Sequence, residues 1–275
     1  MNNIDEKVVK GFGQEWDSYN QSSLVESESK TLFNRYFNIF PSEFLTSDKV
    51  GVDIGCGSGR WAKHVAPLVK ELYCVDASDQ ALNVARKNLN GIGNCTFAHV
   101  STDELSSIDK KFDFGYSLGV LHHIPNTSKA LNDCVLKLKK GSPFLLYLYF
   151  AFDNKPFWYR ALWKISDPIR FIISRSNFRV KKILSIIIAL LIYLPLAKLA
   201  LSLDKLGVRS KNIPLSTYKN TSFYTMRTDA LDRFGTRLEQ RFTKKEIHSM
   251  MIDAGLINIT FSNDIPYWTA IGFKK

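Results

Sequence analysis

The sequence predicts an α/β protein built on a doubly wound, mostly parallel sheet of seven strands. Between residues 50 and 150, short apolar runs of strand length alternate with helical stretches. The first run ends in a glycine-rich turn, and two further strand-like runs follow late in the chain. Alternation of this kind predicts parallel strands joined by right-handed crossovers. The 275 residues and the 45% hydrophobic content suffice for such a core.

Residues 1–45 are predicted to form a helical N-terminal cap. Phe12, Trp16 and Tyr19 recur at helical spacing, and a second apolar stripe follows between residues 32 and 37. Pro41 is predicted to end that second helix, because proline cannot continue it.

Residues 46–150 contain five predicted strands with helices between them. The strands are predicted at 50–54, 71–76, 95–100, 112–117 and 143–150, and the helices at 60–69, 79–90 and 128–139. A helical insertion at 151–220 then breaks the alternation. In the last segment, 221–275, Thr243, Glu246 and Gly255 predict the two ends of a helix. Strands at 256–262 and 268–273 close the sheet.

The glycine loop after the first strand predicts a nucleoside-type ligand rather than a purely structural turn. Gly55, Gly57 and Gly59 let the backbone approach a ligand closely, and the following helix offers free N–H groups. Asp76 lies 21 residues after Gly55, at the end of the next strand, where a carboxylate suits a ribose. Arg60 stands where a dinucleotide fingerprint has its last glycine. Asp53 before the loop favours a cationic ligand over a pyrophosphate.

Three segments resemble the motifs of class I S-adenosylmethionine-dependent methyltransferases. They are 52–60 (VDIGCGSGR), 72–78 (LYCVDAS) and 112–125 (FDFGYSLGVLHHIP). The last 33 residues resemble the family's closing helix and antiparallel hairpin. The resemblance implies a Rossmann-like methyltransferase fold with an antiparallel last strand, and S-adenosyl-L-methionine as the cofactor.

The resemblance also implies roles for matched positions. The backbone at Gly55 and Gly57 would cradle the methionine portion, and Asp76 would hold the ribose. The chain departs from the family at Ser101, where many relatives carry an Asp that meets the adenine, and Asp103 is the alternative. The implied cofactor-binding residues are Tyr19, Asp53, Gly55, Cys56, Gly57, Asp76, Ala77, Ser101, Thr102, Ser117 and Leu118. The aromatic residues of the first helix either fold over the cofactor, as in relatives, or form an ordinary apolar helix face.

His122 and His123 follow the fourth strand, where the family places its acceptor. Methyl transfer from a sulfonium needs a base only when the acceptor must lose a proton, as a hydroxyl does. We therefore expect an oxygen acceptor and one catalytic histidine, and we favour His123. The alternative is that either imidazole caps the loop or packs against the cofactor. No third ligand stands at metal spacing, so we expect no metal.

The insertion holds most of the net charge of +11. From Lys155 to Lys211 there are twelve Lys or Arg and two acids, which gives +10 and leaves +1 for the rest of the chain. Residues 183–197 carry no charge, but they fall short of the roughly 20 residues that span a bilayer. The segment 156–205 fits an anionic membrane interface best and a buried lid next, and a homodimer surface and a spanning helix are the further alternatives.

These features predict a methyltransferase acting on a small-molecule, sugar or lipid-linked acceptor. The apolar insertion disfavours nucleic acid, which prefers a basic and polar surface, so RNA methylation is a minor alternative. A non-catalytic regulatory module that binds S-adenosylmethionine is the main alternative. Four dispersed cysteines and a polar N-terminus without a signal-peptide pattern predict a cytoplasmic protein, membrane-associated through residues 156–205.

Overall fold

The computed structural model describes residues 3–275 and confirms the seven-stranded sheet. The strand order is β3-β2-β1-β4-β5-β7-β6. Strands β1 to β5 are parallel, and β7 runs antiparallel to both β5 and β6. The strands are β1 Val50–Ile54, β2 Glu71–Asp76, β3 Cys95–His99, β4 Phe114–Leu118, β5 Pro143–Tyr147, β6 Leu256–Phe261 and β7 Ala270–Lys274.

Helices cover both faces of this sheet because each face is apolar. The helices of this part are α1 Glu6–Ser18, α2 Glu26–Tyr36, α3 Ala62–Val65, α4 Asp79–Asn88, α5 Thr127–Leu136 and α11 Lys244–Asp253. One apolar cluster joins α3 and α4 to the sheet through side chains such as Val65 and Leu82. A second cluster joins α5 and α11 through Leu131 and Met251. This arrangement is the doubly wound fold that alternating strands and helices predict.

Several predicted boundaries differ from the structure, among them the end of β5, which was predicted at residue 150 and lies at Tyr147. Helix α2 ends at Tyr36, five residues before Pro41, so the prediction that proline ends it is wrong; the chain leaves the helix in a turn that Phe37 and Phe40 bury against the core. Strand β4 begins at Phe114, because Phe112 forms only an isolated bridge to Leu138. Strand β7 begins at Ala270, after a turn in which the Thr269 N–H donates to the Pro266 carbonyl.

The capping signals of α11 are confirmed atom by atom. The Thr243 hydroxyl accepts from the Glu246 N–H at 3.2 Å, and the Glu246 carboxylate accepts from the Thr243 N–H at 2.7 Å. Both donors would otherwise lack partners at the helix start. Gly255 follows the helix with a φ of 86°, the left-handed conformation that ends helices.

The described residues divide into two compact units. The first comprises 3–22, 29–150 and 238–275, and contains the sheet. The second comprises 23–28 and 151–237 and is helical. Its helices are α6 Phe157–Ile165, α7 Asp167–Arg175, α8 Phe178–Ile188, α9 Leu194–Lys205 and α10 Phe223–Gly235. The domain boundaries at 45, 150 and 220 remain predictions.

The helical unit contains one long helix. A π-helical segment, Ala189–Tyr193, joins α8 to α9, so that the helix runs without a break over 28 residues, Phe178–Lys205. Its inner side packs against Tyr218 and against Met226 of α10. Glu28 completes the unit, because its carboxylate accepts from the Ser222 N–H at 2.9 Å and from the Thr225 hydroxyl at 2.7 Å.

Candidate cofactor and acceptor site

The glycine loop leaves β1 in a conformation that only glycine adopts easily. Gly55 has a φ of 77° and Gly57 a φ of 53°. The N–H groups of Gly55 and Cys56 both donate to the Val75 carbonyl, at 2.7 and 3.0 Å, which ties the loop to β2. A Cβ on Gly57 would lie 2.7 Å from the Trp16 indole nitrogen. Another group can therefore approach the loop backbone closely, and a side chain at Gly57 would occupy that space.

Asp53 is a buried carboxylate one residue before the end of β1. It is 1% exposed, and its Oδ2 atom has no hydrogen-bond partner of standard geometry within residues 3–275. Burial raises the pKa of Asp53 well above its usual range, which the neighbouring Tyr116 hydroxyl opposes only in part. An orphaned buried carboxylate beside a glycine loop suits a cationic ligand, because a positive charge would stabilise its ionised form.

Asp76 holds the loop to the end of β2. Its Oδ2 accepts from the Gly57 N–H at 2.9 Å, and its Oδ1 accepts from the Ser78 N–H at 2.8 Å. Burial raises the pKa of Asp76, while these two backbone donors lower it. The Asp76 carboxylate thus lies against the glycine loop that would carry the cofactor. The adjacent Ala77 carbonyl lies 2.9 Å from the His99 Nε2 atom.

Ser101 and Asp103, the two candidates for meeting the adenine, have other partners in the structure. Ser101 forms a capping box with Glu104 at the start of a short 3₁₀ helix, Thr102–Ser107. Thr102 is buried at 7% exposure. Asp103 binds the Lys129 ammonium at 2.9 Å and accepts from the Asn3 N–H. The side chains of Ser101 and Asp103 both already have partners within the protein, so their roles at the adenine remain predictions.

Ser117, Leu118 and Cys56 lie around the end of β1 as buried side chains. The Ser117 hydroxyl donates to the Ile54 carbonyl at 2.9 Å, so its visible role is to join β4 to β1. Leu118 and Cys56 belong to the apolar cluster on that face. Cys56 is part of the glycine loop, but the side chains of all three residues are buried in the protein interior.

Helix α1 lies over both parts of the site. Gly13 packs against Ser78 at the start of α4, and Trp16 lies on Gly57. The Phe12 ring centroid is 4.8 Å from that of His123. Tyr19, at the C-terminal end of the helix, is 2% exposed. The aromatic stripe of α1 therefore covers the glycine loop and the histidine pair, rather than an unrelated part of the core.

The two histidines after β4 are buried side by side. Their ring centroids are 4.0 Å apart, and His122 is stacked on Tyr149 at 4.0 Å. The His123 Nδ1 atom lies 2.7 Å from the Leu238 carbonyl, which can only accept. That contact places the proton on Nδ1, so neutral His123 carries its lone pair on Nε2, as a base requires.

A buried ion pair beside the histidines was not predicted from the sequence. The Arg241 guanidinium binds the Glu239 carboxylate at 2.8 Å, and their side chains are only 9% and 2% exposed. Arg241 also donates to the Phe150 carbonyl at 3.2 Å and lies 5.2 Å from the centre of the Tyr149 ring. The pair therefore lies against the aromatic ring that contacts both histidines. Glu239 and Arg241 belong to no recognisable sequence motif, so the sequence did not indicate a role for them. They are brought to this place because the segment 238–242 pairs with the chain just after β5.

Known proteins resemble the sheet-bearing part of the chain. Residues 52–146 match the family described as a methyltransferase domain. The chain is 30% identical over 102 residues to the uncharacterized methyltransferase YcgJ of Bacillus subtilis, across 36% of this chain and 40% of that protein. It is 27% identical over 111 residues to the ubiquinone biosynthesis O-methyltransferase of Nitrosomonas europaea, across 40% of this chain and 46% of that protein. The matches thus span less than half of each relative.

The fold recurs among solved structures. An O-methyltransferase family protein from Burkholderia thailandensis superposes with a TM-score of 0.51 at 12% identity, covering 98% of this chain and 60% of that one. Identity this low shows the fold alone. Together, the matched domain, the glycine loop and the acids at the ends of β1 and β2 identify residues 52–146 as a methyltransferase domain of the class I S-adenosylmethionine-dependent type, whose cofactor is S-adenosylmethionine.

Proposed function

We propose that the protein transfers the methyl group of S-adenosylmethionine to an oxygen atom of a small, apolar or lipid-linked acceptor. One observation carries this proposal. The glycine loop and His123 follow β1 and β4, two adjacent parallel strands, and the buried Asp53 is the penultimate residue of β1, so all three lie at the same edge of the sheet. Ligands of doubly wound sheets bind at this edge, beyond the carboxyl ends of the strands.

The cofactor supplies an activated methyl group on a positively charged sulfur. The chain's own residues have the simpler task of binding and alignment. The glycine loop offers its backbone to the methionine portion, Asp53 offers a carboxylate to the cationic end, and Asp76 is placed for the ribose hydroxyls. Helix α1, with Phe12 and Trp16 over the site, would exclude water from the transfer.

His123 is the proposed general base. Its Nδ1 proton is held by the Leu238 carbonyl, so Nε2 can take the proton that a hydroxyl acceptor must lose. His122 is the supporting residue, because its ring lies between those of His123 and Tyr149, 4.0 Å from each. We assign it to positioning rather than to proton transfer.

The oxygen acceptor is supported by this base and by the relatives named for ubiquinone biosynthesis O-methylation. The lipid-like character rests on the apolar, basic segment 156–205, which we propose brings a cytoplasmic enzyme to an anionic membrane surface. An apolar ring or chain that bears a free hydroxyl is the acceptor class that has both an oxygen to methylate and a lipid-like character.

Release of S-adenosylhomocysteine tests the transfer. The purified protein is incubated with S-adenosylmethionine and separate pools of phenolic, sugar and lipid-linked hydroxyl compounds. We expect release with a hydroxyl-bearing apolar pool. His123→Gln should lower kcat by about 10²-fold or more, the usual contribution of a general base, and leave cofactor binding intact. His248→Gln, an exposed histidine of α11, is the matched control and should not change kcat.

Calorimetry with the same proteins distinguishes an active methyltransferase from the main alternative, a protein that binds S-adenosylmethionine without catalysis. Binding of S-adenosylmethionine without turnover on any pool would favour a non-catalytic regulatory module. Turnover that His123→Gln does not slow would remove the histidine from the mechanism while leaving the methyltransferase assignment in place.

A further inference from the structure

The outer surface of the helical unit is apolar where water-exposed helices are polar. Within residues 3–275, sixteen of 21 exposed large hydrophobic side chains lie between Phe157 and Val208. The other five are Val25, Leu68, Leu136, Ile252 and Ile257. Scattered exposed apolar residues are normal, but a concentration of this size on one group of helices marks an interaction surface.

The long helix Phe178–Lys205 turns its small residues inward and its large ones outward. The buried residues recur every three or four positions and are mostly small: Ser185, Ala189, Tyr193, Ala197 and Ala200. The outward stripe carries Ile183 at 58%, Ile187 at 44%, Leu190 at 50%, Leu191 at 66% and Leu199 at 49% exposure. This is the reverse of a soluble amphipathic helix. Only 28% of its most apolar 18-residue window is buried, so it is not a core helix either.

Helices α6 and α7 continue the same character. Helix α6 has no buried residue, and Phe157 and Ile165 are 77% and 70% exposed. In α7, Ile172 is 66% exposed. We call the outward side chains of α6 to α9 the apolar face; they are Phe157, Leu162, Ile165, Ile169, Phe171, Ile172, Ile183, Ile187, Leu190, Leu191 and Leu199.

The segment that carries the apolar face, 157–209, is also rich in exposed positive charge. The exposed basic residues of this stretch are Arg160, Lys164, Arg175, Arg179, Lys198, Lys205 and Arg209. The two acids of the stretch are already paired, Asp167 with Arg170 at 3.1 Å and Asp204 with Lys219. The Arg175 guanidinium lies 3.5 Å from the centre of the exposed Phe171 ring, so one side chain presents charge and apolar surface together. This complementarity selects an anionic lipid surface over a neutral apolar partner.

We propose that the apolar face inserts into the headgroup and acyl boundary of an anionic bilayer, with the axis of the long helix in the membrane plane. A crossing orientation would carry α10 into the hydrocarbon, because α10 packs on the inner side of this helix through Met226 and Ala230. Helix α10 bears Arg227, Asp229, Asp232 and Arg233, which are costly in hydrocarbon. In-plane insertion buries the apolar face and leaves α10 in water. This inference deepens the proposed function, on whose membrane-bound acceptor it rests, by naming how the protein meets the membrane.

Flotation of the full-length protein with vesicles tests the insertion, in the absence of cofactor and acceptor. We expect binding to phosphatidylcholine vesicles that contain phosphatidylglycerol, weaker binding to phosphatidylcholine alone, and partial release at high salt. The double variant Ile187→Glu and Leu191→Glu should lower partitioning by about tenfold or more, because each charge would enter the boundary region. Leu68→Glu with Ile252→Glu places the same charges on exposed apolar positions of the sheet-bearing unit, and should bind as the parent does.

Depth measurement tests the orientation. A fluorophore is attached through Ile183→Cys, Leu190→Cys or Leu199→Cys and quenched by lipids that carry the quencher at known depths. In-plane insertion predicts similar shallow depths at all three positions. A maximum depth at Leu190 with shallow ends would show a crossing helix and overturn the proposal.

Two other outcomes would also overturn it. Folded protein that ignores anionic vesicles would exclude the lipid surface. A stable dimer that Leu191→Glu dissociates, without vesicle binding, would assign the apolar face to a second copy of the chain. Because flotation needs no turnover, failure of methyl transfer and failure of membrane binding are distinguishable.

Discussion

Asp53 is the residue at which binding and stability oppose each other. Its carboxylate is buried and one oxygen lacks a standard partner, so ionisation is costly in the free protein. A cationic ligand would remove that cost.

Replacing Asp53 by Asn should stabilise the free protein and weaken cofactor binding. The amide keeps the shape but removes the charge that burial penalises. We expect a higher Tm at neutral pH, because the neutral amide avoids the cost of burying a charge. Affinity for S-adenosylmethionine should fall by about tenfold or more. Thermal unfolding and calorimetry measure the two effects. Asp109→Asn, an exposed acid, is the control, and a lower Tm for Asp53→Asn would contradict the account.

The pH dependence follows from the raised pKa of Asp53. Between its unfolded-state pKa and its higher folded-state pKa, the folded protein holds a proton that the unfolded chain has lost. The contribution of this group to stability therefore falls as pH rises through that window. Cofactor binding has the opposite sign, because a cation prefers the ionised carboxylate. Affinity should rise with pH until Asp53 is ionised in the free protein, and Asp53→Asn should lose this slope in calorimetric titrations.

For individual strands and helices, local sequence signals predicted those boundaries that local interactions determine. Strands β1 and β2 begin and end as predicted because each is an apolar run that stops at a glycine loop or an acid. Helix α11 is predicted by its own caps. The prediction at Pro41 is wrong because α2 already ends at Tyr36, and the next residues, Phe37 to Phe40, form a turn that packs two phenylalanines into the core.

The long helix shows the limit of such signals. Proline removes a helical hydrogen bond, yet Pro195 lies within the long helix. It is the second residue after the π-helical segment Ala189–Tyr193, whose wider turn shifts the hydrogen-bond pattern and accommodates the proline. The buried Glu239–Arg241 pair was missed because the groups packed against Arg241, the Phe150 carbonyl and the Tyr149 ring, are distant in sequence.

The capping box of α11 offers a test at this scale. Thr243→Ala removes the hydroxyl that accepts from the Glu246 N–H, and leaves a helix-start donor without its partner. We expect a loss of about 1 kcal/mol in the free energy of unfolding, measured by urea denaturation. Lys245→Ala lies exposed on the same helix outside the cap and should change stability by a few tenths of that. Equal losses in the two variants would show that the box is not stabilising.

At the scale of the whole molecule, the division into two compact units predicts that each ligand protects its own part. The glycine loop, Asp53 and His123 lie in the sheet-bearing unit, and the apolar face lies in the helical unit. A ligand stabilises only the structure that binds it. The cofactor should therefore protect one set of amides from exchange and anionic vesicles another.

Hydrogen exchange followed by mass spectrometry measures both effects on one protein. S-adenosylhomocysteine at 100 times its Kd should add about 2.7 kcal/mol and slow exchange about 100-fold in peptides from 50–76, wherever exchange needs that unit to open. Peptides from 178–205 should be unchanged by it. Phosphatidylglycerol vesicles should slow exchange in 157–205 and leave 50–76 unchanged. The Ile187→Glu and Leu191→Glu variant should lose only the vesicle effect, because its substitutions lie outside the cofactor site. Protection of both segments by either ligand alone would contradict separate roles and show instead that the two units open together.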